Sequence, residues 1–313
     1  MILVAGIGSE PPVARAVAAA DARGAPYILF DQRRYRHAKL VLGNDTGHVS
    51  GHLDIDGERH DLSRLTGIYL RLMDDHMLPG VRDLAADDPE RQRARALHDA
   101  FYCLAEVAPC RVANRPRHML SNQSKPYQAD IIRRHGFRIP ETLVTNDPEA
   151  AYAFWQSCRT DGDDVIYKSL SGVRSIVETV DAADIDRLGR LAACPVQFQR
   201  RVRGTDIRVH VVGSATFAAE IDSTATDYRY ASRQVDAAAE LAVAELPPRV
   251  AAAAVRLADT LLLPFSGIDL RRTPDGDWYC FEVNPSPAYS YYESHTGLPI
   301  ADALVRYLGA EMV

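Results

Sequence analysis

Hydrophobic and polar positions follow two rhythms along this chain, and each change of rhythm marks an element. "ILVAGI", "PYILFD" and "GIYLRLM" are short apolar runs that predict buried strands. Between the first two, "PPVARAVAAADARG" repeats with helical spacing, opens on proline and stops at Gly24. "HVSGHLDIDGERHDL" alternates in twos around Asp56-Gly57 and predicts a hairpin. "DDPERQRARALHDAFYCLAEV" has Asp87 or Asp88 as cap and Pro89 in its first turn, so it predicts a helix. The polar stretch "NRPRHMLSNQSK" then predicts a connector. Residues 1–115 accordingly form an open α/β unit.

From Lys125 the pattern changes. "PYQADIIRRHG" predicts a short helix, "RIPETLVT" an extended segment and "NDPEAAYAFWQSC" a capped helix. "DVIYKSLSG" and "VRSIVETV" read as strands around a Gly/Ser loop, followed by a helix from Asp184 to Leu191. "VQFQRRV" is a strand, and "DIRVHVVGSATFAAEI" folds over at Gly213-Ser214. Residues 223–246 read as a mobile loop plus helix, and "LPPRVAAAAVRLADTLLL" as a helix. A hairpin around Asp275-Gly276 ends in "CFEVNPSP". These elements divide into an α+β unit at 116–195 and a second at 196–313.

Composition and charge add to this picture. The chain has 313 residues, 47% of them hydrophobic and 25% charged, as expected of a soluble protein with a sizeable core. A net charge of −6 offers no basic surface for nucleic acid or an anionic membrane. The N-terminus reads as a strand and turn, not a signal peptide, and no segment has the length of a membrane span. The five cysteines form no C-x-x-C pair and read as reduced thiols of a cytoplasmic protein. Lysine usage is also biased. Of 36 basic residues only Lys39, Lys125 and Lys168 are lysines. Codon usage is the ordinary explanation of such a bias for any one lysine, so context decides what each lysine does.

The final hairpin carries the strongest chemistry. A two-residue turn at Asp275-Gly276 sets Asp269 opposite Glu282, and the period-two rule puts Asn284 on the same face. Ile268, Leu270, Phe281 and Val283 then belong to the core face. Opposed carboxylates repel unless something compensates. Three oxygen donors suit a hard cation such as magnesium. The ordinary reading is a solvated strand face, and alternation alone favours it. The forced turn after Asn284 favours the metal.

Lys168 leads into a loop of small residues, Ser169, Ser171 and Gly172, whose backbone N–H groups could approach phosphate. Lys125 precedes Pro126 at a helix start, where anions are also favoured. In "RVRGTDIRVHV", Asp206, Arg208 and His210 share a strand face. Arg208 there suits either charge stabilisation on a transferred phosphoryl group or a structural ion pair.

Taken in order, "SNQSKPYQ", "VIYKSLSGVRS", "VQFQRRVRGTDIRVHVVG", "GIDLRRTPDGDWYCFEVNPSP" and "TGLPIADAL" resemble the ATP-grasp superfamily. The likeness is to the branch of ribosomal-protein glutamate ligases and graspetide macrocyclases, and it covers about residues 115–310. It implies an ATP-grasp fold, α/β plus α+β, in which 1–115 is a pre-ATP-grasp domain, 116–195 a small lobe and 196–313 a large lobe. It also implies ATP and Mg2+ as cofactors. Lys125 and Lys168 would hold phosphates. Gln199, Arg200, Arg201 and Val202 would form the adenine hinge, with Asp206 near the ribose. Asp269, Glu282 and Asn284 match the family's magnesium ligands, and Arg208 an arginine near the acyl intermediate. Arg229 and Arg233 in "DYRYASR" resemble residues that touch substrate or phosphate. Two departures stand out. The hinge has Gln199-Arg200 where Gln-Glu is common, and the loop after Lys168 has one glycine, Gly172, where many relatives have two.

The implied activity is a carboxylate–amine ligase working through an acyl phosphate and releasing ADP and phosphate. The partners are a carboxylate and an amine or hydroxyl nucleophile, on a precursor peptide or on small molecules such as amino acids. A nucleotide-binding regulator without turnover is the reading from another class, and a homo-oligomer is compatible with the sequence.

Overall fold

The protein's structure, a computed structural model, describes residues 1–45, 48–169, 177–222 and 240–310. The first unit runs β1 (Ile2–Gly6), α1 (Pro11–Arg23), β2 (Tyr27–Asp31), β3 (Ala38–Asp45), β4 (His48–Ile55), β5 (Glu58–Asp61), β6 (Gly67–Arg71), α2 (Pro89–Val107) and β7 (Arg111–Ala113). A parallel sheet in the order β2-β1-β6-β7 forms its centre, and β3-β4-β5 is a separate antiparallel sheet. Helix α1 ends as expected: Gly24 takes the left-handed conformation, and its N–H donates to the Ala20 and Asp21 carbonyls. Asp88 caps α2 by accepting from the Glu90 N–H. Asp56 and Gly57 both have positive φ, as the tight turn between β4 and β5 requires.

Next come α3 (Pro116–Met119), α4 (Lys125–Arg134), β8 (Thr142–Thr145), α5 (Pro148–Thr160), β9 (Val165–Ser169), β10 (Glu178–Thr179), α6 (Ala182–Ile185) and β11 (Val196–Arg200). Their sheet has the order β10-β9-β11-β8. The last unit holds β12 (Thr205–Val212), β13 (Ala215–Asp222), β14 (Glu240–Ala244), α7 (Pro248–Thr260), β15 (Phe265–Arg272), β16 (Trp278–Asn284), α8 (Tyr289–Thr296) and α9 (Ile300–Gly309). Its antiparallel sheet has the order β14-β13-β12-β15-β16.

Several expectations are corrected. The stretch 114–125 is not a plain connector, since α3 and a 3-10 turn at Leu120–Gln123 occupy it. One helix from Asp184 to Leu191 does not form. Helix α6 ends at Ile185, and a 3-10 turn spans Leu188–Ala193 around Gly189, a poor helix former. Of "VRSIVETV", the described part contributes only the short strand β10, and residues 170–176 lie outside the described residues. The helix expected at the end of 223–246 is strand β14, because pairing with β13 outweighs the helix preference of alanine and glutamate. Residues 223–239 lie outside the described residues.

Apolar contacts cross the sequence boundaries. One face of the parallel sheet packs on α2 and the β3-β4-β5 side. The other face carries Ile2, Val4 and Tyr69, and packs with Ile300, Leu304 and Leu308 of α9 and with Val212 and Phe265 of the large sheet. Helix α4 packs with α7 and the outer face of the large sheet, not with the small sheet. Residues of α5, β9 and β11 close a small core of their own. The inner face of the large sheet is therefore covered at one end, and its polar end is left for chemistry.

Candidate active site

Three neighbouring strands supply the centre of the site. Arg208 on β12 lies opposite Asp269 on β15, which lies opposite Glu282 on β16. In the next row His210 faces Gly267, and Gly267 faces Asn284. The hairpin thus unites Asp269, Glu282 and Asn284, as the sequence predicts. The Asn284 amide donates to Asp269 at 3.2 Å and to Glu282 at 3.2 Å. The donor set is all oxygen once the amide offers its carbonyl, so these residues fit a hard divalent cation. Another acidic group, Asp74, Asp75 and His76, lies in the loop after β6, but Asp75 is committed to Arg91 and Asp74 to His76.

The hairpin reaches this geometry by a route the sequence did not suggest. Its turn closes through Thr273 N–H to Asp277 O, so three residues, Pro274 to Gly276, form the loop. A bulge between Asp269 and Leu270 then restores the register at Glu282. Phe281 is the extra residue. It does not enter the core as expected; Cys280 does, together with Trp278. Phe281 instead stacks under the Arg271 guanidinium at 5.2 Å.

Cations surround the carboxylates. Lys125, at the start of α4, donates to Glu282 at 2.6 Å and to Asn122 at 3.1 Å. Arg208, only 7% exposed, pairs with Asp269 at 2.6 Å. Burial alone would push the Glu282 carboxyl up, but the Lys125 charge and hydrogen bond, with Lys168 behind them, bring it down to about 2. The charges of Lys168 on β9 and Lys125 on α4 therefore both act on the Glu282 carboxylate. Burial, with the Asp269 and Glu282 charges, holds the Cys280 thiol well above its ordinary range, so it is no nucleophile at neutral pH.

The hinge residues divide. Gln199 is buried and donates to Thr142 at 2.9 Å. The Arg200 guanidinium turns to Glu141, Asp161 and Asp163, and its backbone N–H donates to the Glu141 carbonyl at 3.0 Å, so neither is left for a ligand. Arg201 reaches toward Asp164 at 3.5 Å, and the Val202 carbonyl accepts from Arg271 at 2.6 Å. Asp206 makes a two-pronged pair with Arg271, at 2.7 and 2.8 Å. Ser171, Gly172, Arg229 and Arg233 lie outside the described residues.

Sequence reasoning missed Arg271, which ties the hinge to Asp206 and Phe281; only the β12–β15 register reveals it. It also missed the supports of the turn after Asn284. Gln128 donates to the Val283 carbonyl and accepts from its N–H. Asn114 donates to the Pro285 carbonyl at 2.6 Å, and Arg71 donates to Ser286 Oγ at 3.1 Å. Nothing in the local sequence around Asn114 or Arg71 links them to a turn some 170 residues away or more.

The chain is similar to known proteins over most of its length. Residues 123–308, more than half of the chain, match the RimK-like ATP-grasp domain. The chain belongs to this family. A probable alpha-L-glutamate ligase of Rhodopirellula baltica is 29% identical over 208 residues, 64% of this chain and 50% of that protein. The ribosomal protein bS6–L-glutamate ligase of Escherichia coli is 28% identical over 187 residues, 57% of this chain and 60% of that protein. The chain thus spans about half the length of these curated relatives. The ATP-grasp ligase PsnB was solved with a phosphomimetic variant of a minimal precursor, Mg and ADP. It superposes with TM-score 0.76 at 27% identity, over 98% of this chain and 97% of its own. The fold of this RimK-like protein is accordingly an ATP-grasp fold preceded by a parallel α/β unit. Among the described residues, no helix is long and apolar enough to cross a membrane.

Proposed function

We propose that this protein is an ATP-dependent carboxylate–amine ligase whose substrate is a peptide. The observation that carries the reading is the convergence of Lys125, Lys168, Arg208 and the Asp269–Glu282–Asn284 set on one cleft. The likeness to PsnB over nearly the whole chain supports a peptide, and so does that protein's complex with a minimal precursor.

In this reading a substrate carboxylate oxygen attacks the γ-phosphorus of ATP. ADP leaves and an acyl phosphate forms. An amine then adds to the acyl carbon, phosphate leaves and the amine gives up a proton, which yields an amide. Asp269, Glu282 and Asn284 would hold magnesium, which supplies positive charge at the phosphate oxygens. Lys125 and Lys168 bind phosphate from two sides, and Arg208 faces charge that develops on the transferred group. Such catalysis is mostly positioning and electrostatics. No covalent protein nucleophile is needed. The hinge backbone from Gln199 to Val202 reads the base, and the ATP-bound form must share Asp206 between Arg271 and the ribose.

The names of the curated relatives favour a second reading, transfer of a free amino acid such as glutamate. An ADP-release assay separates the two. The protein is offered ribosomal precursor peptides rich in Asp, Glu and Lys, and separately single amino acids with and without an acceptor. Peptide-dependent ADP release with loss of water from the peptide mass supports the proposal. ADP release with amino acids alone overturns the peptide assignment.

A further inference from the structure

Gly267 sits in the interior of β15, where glycine is a poor choice, since it gives up packing and costs more backbone entropy than any other residue. Its backbone does not demand it, because Gly267 is absent from the positive-φ glycines of the chain. The ladder is regular there, with His210 on one side and Asn284 on the other. Local conformation therefore gives no reason for the missing side chain.

A neighbouring side chain does. The Arg208 guanidinium leans out of its own row and lies over Gly267. A methyl at position 267 would sit 2.5 Å from Cζ and 2.8 Å from Nε of Arg208, and closer still to Nη2. No real Cβ contact is that short. From this seat the guanidinium reaches Asp269 at 2.6 Å, and its Cζ lies 5.8 Å from the centre of the Tyr292 ring. The guanidinium thus has sheet backbone beneath it, a carboxylate at one end and an aromatic ring alongside.

We infer that Gly267 is a positioning residue for Arg208: its bare Cα forms the seat that fixes the guanidinium beside the candidate metal carboxylates. What a methyl would meet is the end of a side chain, not backbone. The sheet therefore survives the substitution while the guanidinium moves. The catalytic half of this inference rests on the role proposed for Arg208 above. The structural half rests on the contacts alone.

A double-mutant cycle tests both halves. Gly267→Ala is made in the wild-type chain and in Arg208→Ala, and each protein is melted. In the wild-type background the alanine evicts the guanidinium and lowers the melting temperature by about 2–4 °C. In the Arg208→Ala background the seat is empty and alanine suits a strand better than glycine, so the melting temperature stays or rises. Equal shifts in both backgrounds overturn the seat. ADP release is measured on the same proteins. Gly267→Ala alone should reduce turnover by ~10-fold or more while ADP affinity stays within about threefold, and it should add nothing to Arg208→Ala. Undiminished turnover in Gly267→Ala overturns the positioning role. A wild-type protein that releases no ADP with any peptide fails the ligase reading instead, and the melting cycle still decides the seat.

Discussion

Lys125 and Glu282 illustrate how one side-chain contact carries several consequences. The lysine that a phosphate would attract and the carboxylate that a cation would attract are paired with each other at 2.6 Å. The sequence marked both residues, but for separate reasons, and nothing in it joined them. Lys→Arg exchanges keep charge but replace a point ammonium with a broad fork. Lys168→Arg and Lys125→Arg should each weaken ATP binding or turnover by ~10-fold or more, about 1.4 kcal/mol. Lys39 lies exposed on β3, far from this chemistry in the sequence, and Lys39→Arg should behave as wild type. Nucleotide titrations on the three variants check this, and three silent exchanges would refute the phosphate-clamp reading. His210 sets a second test. It is fully buried, and among the described residues neither ring nitrogen has a hydrogen-bond partner. Burial first, and the Arg208 charge second, push its pKa well below 6.5. The folded imidazole is therefore neutral, whereas the unfolded one gains a proton below pH 6.5. Stability should fall as pH drops below that value, by up to about 1.4 kcal/mol per pH unit from this group. His210→Phe keeps a ring against Tyr292 and removes both stranded nitrogens. It should raise stability at neutral pH by ~1 kcal/mol and flatten the slope between pH 6.5 and 5 in urea titrations.

At the scale of elements, the hairpin shows what alternation can and cannot reveal. The facing of Asp269 and Glu282 was legible, because charged residues at matching distances from a turn leave few registers. The route was not. A three-residue loop shifts the pairing by one, and the bulge at Phe281 shifts it back. A bulge leaves no mark in a hydrophobic pattern, so Cys280 and Phe281 exchanged their expected faces. Strand β14 was hidden for a related reason: it is an edge strand made of good helix formers, and only its partner β13 fixes it. The bulge and the β12–β15 ladder, not the turn, set the register at the site. Gly276→Ala tests this separation. Gly276 has φ +84°, so alanine should cost about 1–2 kcal/mol of stability. Calorimetric titration with Mn2+ in the presence of ADP should give the wild-type affinity. A loss of metal affinity would show that the turn does control the site.

Over the whole molecule, the chain's two ends depend on each other. The pattern of the sequence suggests three consecutive units, but sequence order does not say which faces stay bare. Helices α8 and α9 come last in the chain and yet cover the first sheet. Gly67 on β6 lies so close to α9 that a Cβ there would meet the Leu308 carbonyl at 2.5 Å. Tyr289 donates its hydroxyl to the Pro12 carbonyl at 2.5 Å, and Arg23 pairs with Asp302 at 2.6 Å. The same cluster continues into the large sheet through Val212 and Phe265. The turn after Asn284 is gripped by Asn114 and Arg71 from the first unit. Folding of the first unit and shaping of the candidate metal site are therefore coupled through one apolar interface. A fragment of residues 1–115 alone would expose Ile2, Val4 and Tyr69 on an uncovered sheet face, and should not show a cooperative melt. In the full chain, Leu304→Ala removes a fully buried side chain from the middle of that interface. It should cost ~2–5 kcal/mol, the range for large-to-small core changes. The loss should register together in far-ultraviolet dichroism, which reports all units, and, in a Trp155→Phe background that removes the other tryptophan, in the fluorescence of Trp278, which packs in the core of the large sheet. If dichroism and fluorescence separate into two transitions, with Trp278 unaffected by Leu304→Ala, the first unit folds on its own and the coupling is wrong.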